Sequence, residues 1–103
     1  MSSRRLSPVL DERTAAQVAE LFRAFADSSR VRIISVLADQ EMPVGALAEA
    51  VGVSASSVSH HLRGLRQMRL VRARKQGRHV FYFLDDAHVA ELFRRGLDHV
   101  QHG

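Results

Sequence analysis

Residues 44–68 read VGALAEAVGVSASSVSHHLRGLRQM, and the organisation of the chain follows from them. Val44, Leu47, Ala48 and Val51 recur at helical spacing, so the stretch opens with a short helix. Pro43 suits the first turn of that helix. Gly52 follows its last apolar residue, where a glycine ends a helix in the left-handed conformation. Ser54 then stands at the N-cap of a second helix, Ala55 to Met68. Val58, Leu62 and Leu65 make the buried stripe of this second helix. Ser56, Ser57, Ser59, His60, Arg63 and Gln67 fall on its other faces, and His61 lies nearer the buried stripe.

Two short helices joined by a glycine turn, with small Ala48 at their crossing, form a helix-turn-helix. Two more helices precede it. One runs from Asp11 to Asp27 on Ala15, Val18, Ala19, Phe22, Phe25 and Ala26. The other follows the Asp27-Ser28-Ser29 break on Val31, Ile34, Val36, Leu37 and Ala38, and ends near Gln40. Downstream, Leu70 to Arg74 and His79 to Leu84 alternate as strands, with Gln76-Gly77 as the turn of a β-hairpin. A last helix begins at Asp85-Asp86, its stripe being Val89, Leu92, Phe93, Gly96, Leu97 and Val100. The reading is a mainly α (α+β) winged helix-turn-helix of five helices with a two-stranded hairpin wing. Residues 1–10 form a flexible arm, and residues 11–103 are one domain.

Composition agrees and excludes. The chain has 103 residues, 46% of them apolar, which suits one small domain with a modest core. It contains no cysteine, so disulfides, thiolate metal sites and cysteine nucleophiles are excluded. The longest apolar run, Val80 to Leu84, is far too short to span a membrane. No apolar leader is visible at the N-terminus, so a cytoplasmic location is expected. The net charge of +4 is uneven. Residues 1–52 sum to −1 and residues 53–103 to +5. No acid separates Glu49 from Asp85, an interval that holds Arg63, Arg66, Arg69, Arg72, Arg74, Lys75 and Arg78. Such a surface suits phosphate. Arg74, Lys75 and Arg78, near the tip of the wing, are placed to reach the backbone or minor groove beside the groove a helix enters. Ser56, Ser59 and His60 are the candidates for base-edge contacts, and Ser57 and Arg63 for base or phosphate contacts.

The segment from Val58 to Arg66, then Leu70-Val71, Gln76-Gly77-Arg78 and Phe81 to Leu84, resembles the ArsR/SmtB family of winged-helix metal-responsive repressors. So does the upstream run from Phe25 to Ile33, and the resemblance covers roughly residues 15 to 102. It implies a homodimer that binds an inverted repeat of double-stranded operator DNA and releases it when an inducer, usually a metal ion, binds.

The last helix carries Asp86, His88, His99 and His102, all capable of ligating a metal. On an ideal helix the three histidines fall within about 60° of one another. His88 and His99, however, are about 16 Å apart along the axis, whereas metal–imidazole bonds are about 2 Å. One helix cannot chelate with both ends, but two antiparallel copies can, giving two equivalent sites per dimer. The apolar stripe Val89, Leu92, Phe93, Gly96, Leu97 and Val100 would then be the dimer seam. Taken singly, Asp86 is an ordinary capping acid, and His99 and His102 are ordinary residues near a helix end. Jointly they resemble the interhelical site of the zinc-sensing branch of the family.

One carboxylate and three imidazoles suit Zn(II) first and Co(II) second; Ni(II) usually takes more ligands. The resemblance implies a repressor released by Zn(II) or Co(II), with a bond from the other ring N–H of His99 to a main-chain carbonyl near Arg69 as the relay. The alternative is a repressor of the same type that answers Ni(II), another signal or none. A zinc hydrolase is disfavoured, because four protein ligands leave no open position. No enzymatic activity is expected.

Overall fold

The computed structural model describes residues 8–103. Most of the arm expected at residues 1–10 lies outside the described residues; Pro8, Val9 and Leu10 are exposed and irregular. The helices are α1 (Glu12–Phe25), α2 (Ser28–Leu37), α3 (Val44–Val51), α4 (Ala55–Gln67) and α5 (Ala87–His102). The strands are β1 (Met42–Pro43), β2 (Val71–Gln76) and β3 (His79–Leu84). No helix among the described residues is long and apolar enough to cross a membrane.

Local chemistry sets the helix starts. Asp27 caps α2 by accepting from the amides of Ser29 and Arg30, at 2.9 and 3.1 Å. Ser54 caps α4 by accepting from the Ser57 amide at 3.0 Å. Between α3 and α4, Gly52 takes φ +80°, a conformation only glycine adopts without cost. The first helix stops at Phe25, two residues short of the expected end, because Asp27 is used as the cap of the next. Likewise α5 begins after Asp86, whose carboxylate accepts from the His88 amide at 2.9 Å.

The end of α4 is built differently from the end of α3. Leu70 N–H reaches Leu65 O at 2.9 Å and Arg69 N–H reaches Arg66 O at 3.0 Å. This pair of bonds is a Schellman motif, whose left-handed position is usually glycine. Here Arg69 occupies it, at φ +59°.

The sheet differs from the expected two-stranded wing. Its order is β1-β3-β2, all antiparallel, with Met42 opposite Tyr82 and Pro43 opposite Phe81. Pro43 is therefore an edge-strand residue and the N-cap of α3, not a residue of its first turn. Edge strands tolerate proline because one side of the strand needs no N–H donor. The hairpin turn also shifts by one residue. Gln76 pairs with His79, so Gly77-Arg78 form the loop. Gly77 has φ +64° at the first loop position, where a two-residue turn of type II′ demands it.

The core lies where α2, α3 and α4 meet the first residues of β2. Ile33, Ile34, Leu47, Val51, Val58, Leu62, Leu65, Leu70 and Val71 are buried there. α1 contributes only Ala24 and α5 only Val89 to the fully buried set. No polar or charged side chain among the described residues is fully buried.

Candidate nucleic-acid interface and metal centre

Because Val58, Leu62 and Leu65 are buried, the opposite face of α4 is open. At 100° per residue, that face is centred on Ser56, His60, Arg63 and Gln67. Those four are exposed, while Ser59 and Ser57, on the flanks, are half-buried. Beside this face a groove of about 550 Å³ runs between α4 and β3, lined by Ser59, Arg63, Arg66, Gln67 and Tyr82 among others. Arg66 and Tyr82 were not among the site residues expected from sequence. Strand alternation was the available signal for Tyr82, which shares a face with Leu84 and packs toward the core.

The wing sorts its cations into two kinds. Lys75 and Arg78, at and beside the loop, are exposed, and among the described residues no ion pair involves either. Arg74 is engaged: its guanidinium bonds Glu41, donates to Gln76 Oε1 at 2.9 Å and sits 5.4 Å from the centre of the Phe81 ring. Arg72 pairs with Asp85 at 3.7 Å and lies 5.7 Å from the Phe83 ring centre. A phosphate reaching Arg74 would therefore compete with Glu41.

The four metal-capable residues occupy the two ends of α5. Asp86 Oδ1 lies 3.4 Å from His88 Nδ1, and His102 Nδ1 lies 3.0 Å from Asp98 Oδ1. Desolvation raises the Asp86 carboxyl, but hydrogen bonds from the His88 ring and amide outweigh it and hold the group below its ordinary range. Asp86, His88, His99 and His102 are all exposed. Among the described residues no three metal-capable side chains gather within one protomer. The donors thus suit a divalent ion in type and accessibility, but one copy of α5 does not bring them together.

An apolar groove of about 440 Å³ runs between α1, α2 and α5, lined by Phe22, Phe25, Val31, Leu92, Phe93, Gly96, Leu97 and Val100. Phe22 is 52% exposed, Leu97 41% and Val100 82%, so among the described residues nothing covers this face. Gly96 has open space where a Cβ would stand. Val89, expected in a dimer seam, is instead committed to the protomer's own core, and Phe93 packs partly against that core. Val18 and Phe22 of α1 join the open face, so the apolar stripe read along the first helix is only partly spent on the protomer's core.

The chain is similar to known proteins along most of its length. Residues 27–73 match the family model described as bacterial regulatory protein, arsR family. A transcriptional repressor SmtB homolog from Synechocystis is 54% identical over 84% of this chain and 66% of its own length. The HTH-type transcriptional regulator NmtR of Mycobacterium tuberculosis is 44% identical over 95% of this chain and 82% of its own. Among solved structures, the homodimeric winged helix-turn-helix DNA-binding domain of Mycobacterium bovis Mb0332 superposes with a TM-score of 0.80 at 31% identity. It covers 93% of this chain and 91% of that one.

Proposed function

The chain belongs to the arsR family of bacterial transcriptional regulators, and from that premise we propose that it is a metal-responsive repressor rather than an enzyme. It reads operator DNA as a homodimer and releases it when Zn(II), or Co(II), binds between the two C-terminal helices. One observation carries the DNA reading. The open face of α4, Ser56, His60, Arg63 and Gln67, stands beside a wing whose Lys75 and Arg78 are exposed. Ser56, Ser59 and His60 meet base edges in the major groove, with Ser57 and Arg63 on bases or phosphates. Lys75 and Arg78 hold phosphates and set the salt dependence. Arg74 joins them by exchanging Glu41 for phosphate.

The uncovered face of α1 and α5 supports the dimer. A second α5 lying antiparallel over Leu92, Gly96, Leu97 and Val100 covers it by two-fold symmetry. That pairing brings Asp86 and His88 of one protomer toward the partner's His99 and His102. A divalent ion held there would cross-link the two helices through one carboxylate and three imidazoles, a closed tetrahedral set that favours Zn(II) over Ni(II). Asp98 holds His102 at Nδ1, which leaves Nε2 to ligate; all three imidazoles must be neutral, so acid releases the ion.

The protomer offers a short connection from the metal ligands to the reading helix. Asp85 N–H donates to Leu70 O at 3.0 Å, and Leu70 N–H closes the end of α4 on Leu65 O. Asp86, next along the chain, starts α5. A shift of the α5 start is thereby passed to the last turn of α4. The bond from His99 to the carbonyl near Arg69 would be a second relay.

The test is a gel-shift titration of the duplex upstream of the protein's own gene. Wild type is expected to lose about 5–150-fold in DNA affinity with Zn(II), the range of typical couplings, and to regain it with chelator. His88→Ala and His102→Ala should bind the duplex within about threefold of wild type without responding to Zn(II). Equal affinity with and without Zn(II) in the wild type would remove the metal from the proposal. Loss of both DNA and metal binding in the variants would give those histidines a structural role.

A further inference from the structure

His61 is largely enclosed, with 14% of its side chain exposed, and the DNA and metal readings leave it without a task. Its surroundings are unusual for a helix flank. Arg30, in the first turn of α2, donates from Nε to His61 Nδ1 at 3.2 Å. An Nδ1 that accepts leaves the ring proton on Nε2, and Nε2 faces Asp27 Oδ1 at 4.0 Å. Asp27 in turn holds the backbone amide of Arg30. One carboxylate therefore fixes the helix start that carries the arginine and faces the histidine that receives it.

The rest of the guanidinium lies on the backbone of α4. A Cβ at Gly64 would stand 2.5 Å from Arg30 Nη2, 2.9 Å from Cζ and 3.1 Å from Nη1. A Cβ there would push the guanidinium out of this position. Gly64 is in mid-helix, where glycine costs about 1 kcal/mol relative to alanine. The His61 ring also meets the His60 ring at 5.5 Å, edge to face. His60 belongs to the open face of α4.

We infer that Arg30 is a positioning residue, clamping α4 through His61 and across Gly64 so that the open face of the helix meets bases in one register. This rests on the DNA-reading proposal for α4. A planar guanidinium can lie flat on a backbone and donate along its edge, which a lysine ammonium cannot. Base contacts depend on the seat of the helix, whereas phosphate contacts report charge. Removing the clamp should therefore cost sequence discrimination and leave the salt dependence alone.

The experiment compares two probes across a salt series by fluorescence anisotropy. One is a duplex enriched by the wild-type protein from a random pool, and the other is sonicated calf-thymus DNA. Arg30→Met, Arg30→Lys and Gly64→Ala should each lower the ratio of the two affinities at least tenfold, with the slope of log affinity against log salt unchanged. His61→Leu should do the same. His61→Asn, whose Oδ1 stands where Nδ1 does, should keep the ratio. Wild-type ratios in Arg30→Met and Gly64→Ala would overturn the inference. So would a slope reduced by about one in Arg30→Met with the ratio intact, because Arg30 would then be a phosphate contact. If Arg30→Met fails to fold, Arg30→Lys and Gly64→Ala carry the same reading. A wild type that enriches no duplex would overturn the DNA-reading proposal and the clamp with it. Enrichment by wild type with unaltered variants overturns the clamp alone.

Discussion

α4 and α5 are both amphipathic and of similar length, yet the protomer completes one and leaves the other open. α4 buries Val58, Leu62 and Leu65 against α2, α3 and β2, and its remaining face is polar. α5 buries only Val89 fully, and Leu97 and Val100 stay in solvent beside Phe22. The same kind of periodicity thus means two things. In α4 it describes a helix whose apolar face is fully used in the protomer. In α5 it describes a helix whose apolar face the described residues leave largely uncovered, with metal-capable residues at its two ends.

The sharpest way to break that contrast is to damage each stripe in turn. Leu62→Ala empties a site that is 1% exposed and should cost about 2–5 kcal/mol. The loss should be of similar size at low and high protein concentration in urea unfolding. Leu97→Asp places a charge on the open face of α5 and should leave the protomer folded while weakening the proposed dimer by more than about a hundredfold, as desolvating an unpaired charge demands. Analytical ultracentrifugation should then show monomer, and the concentration dependence of Tm should vanish. Equal damage to monomer folding by both substitutions would erase the distinction.

Two smaller effects concern how α4 is held at its neighbours. Asp27→Ala removes the α2 cap and should cost about 1 kcal/mol at neutral pH. The amide of Arg30, against a smaller opposing desolvation, holds the Asp27 carboxyl below its ordinary value of 3.8. A depressed carboxyl stabilises the fold above that value and loses the contribution as pH falls through its folded, lower value. The gap between wild type and Asp27→Ala should therefore be full at pH 6 and close progressively below about pH 3.8, as read by urea midpoints. Smallest is a gain. Arg69→Gly relieves a non-glycine residue at φ +59° and should stabilise by up to about 1 kcal/mol, net of the extra chain entropy of glycine. A loss of stability there would mean that the Arg69 side chain does more than end the helix.

Much of this fold was legible because its signals are local. Gly52 and Ser54 are decided by backbone sterics and one side-chain bond, so the turn between α3 and α4 could be read directly. The hairpin turn was read one residue early, because Gln76-Gly77 and Gly77-Arg78 both place a glycine in the loop. Only the pairing of Gln76 with His79 separates them. β1 was not legible at all: Met42-Pro43 is too short for periodicity, and it is a strand only because β3 lies beside it. For the candidate site the division is similar. The residue types at Asp86, His88, His99 and His102, and the distance argument that one helix cannot join them, needed no coordinates.

What the sequence by itself determined is the order of the five helices and the hairpin, the polar face of α4 and the metal-capable residue types on α5. Helical and strand periodicities are fixed by backbone geometry and are visible residue by residue. What only the tertiary structure decided is which side chains are already spent. Val89 goes to the core, Arg74 to Glu41, and Arg30 to His61 and the bare backbone of Gly64. Each of the last two pairs residues more than thirty positions apart. The physical reason is that a side chain's commitments depend on what the fold brings within a few ångströms of it, and no local spacing encodes that distance.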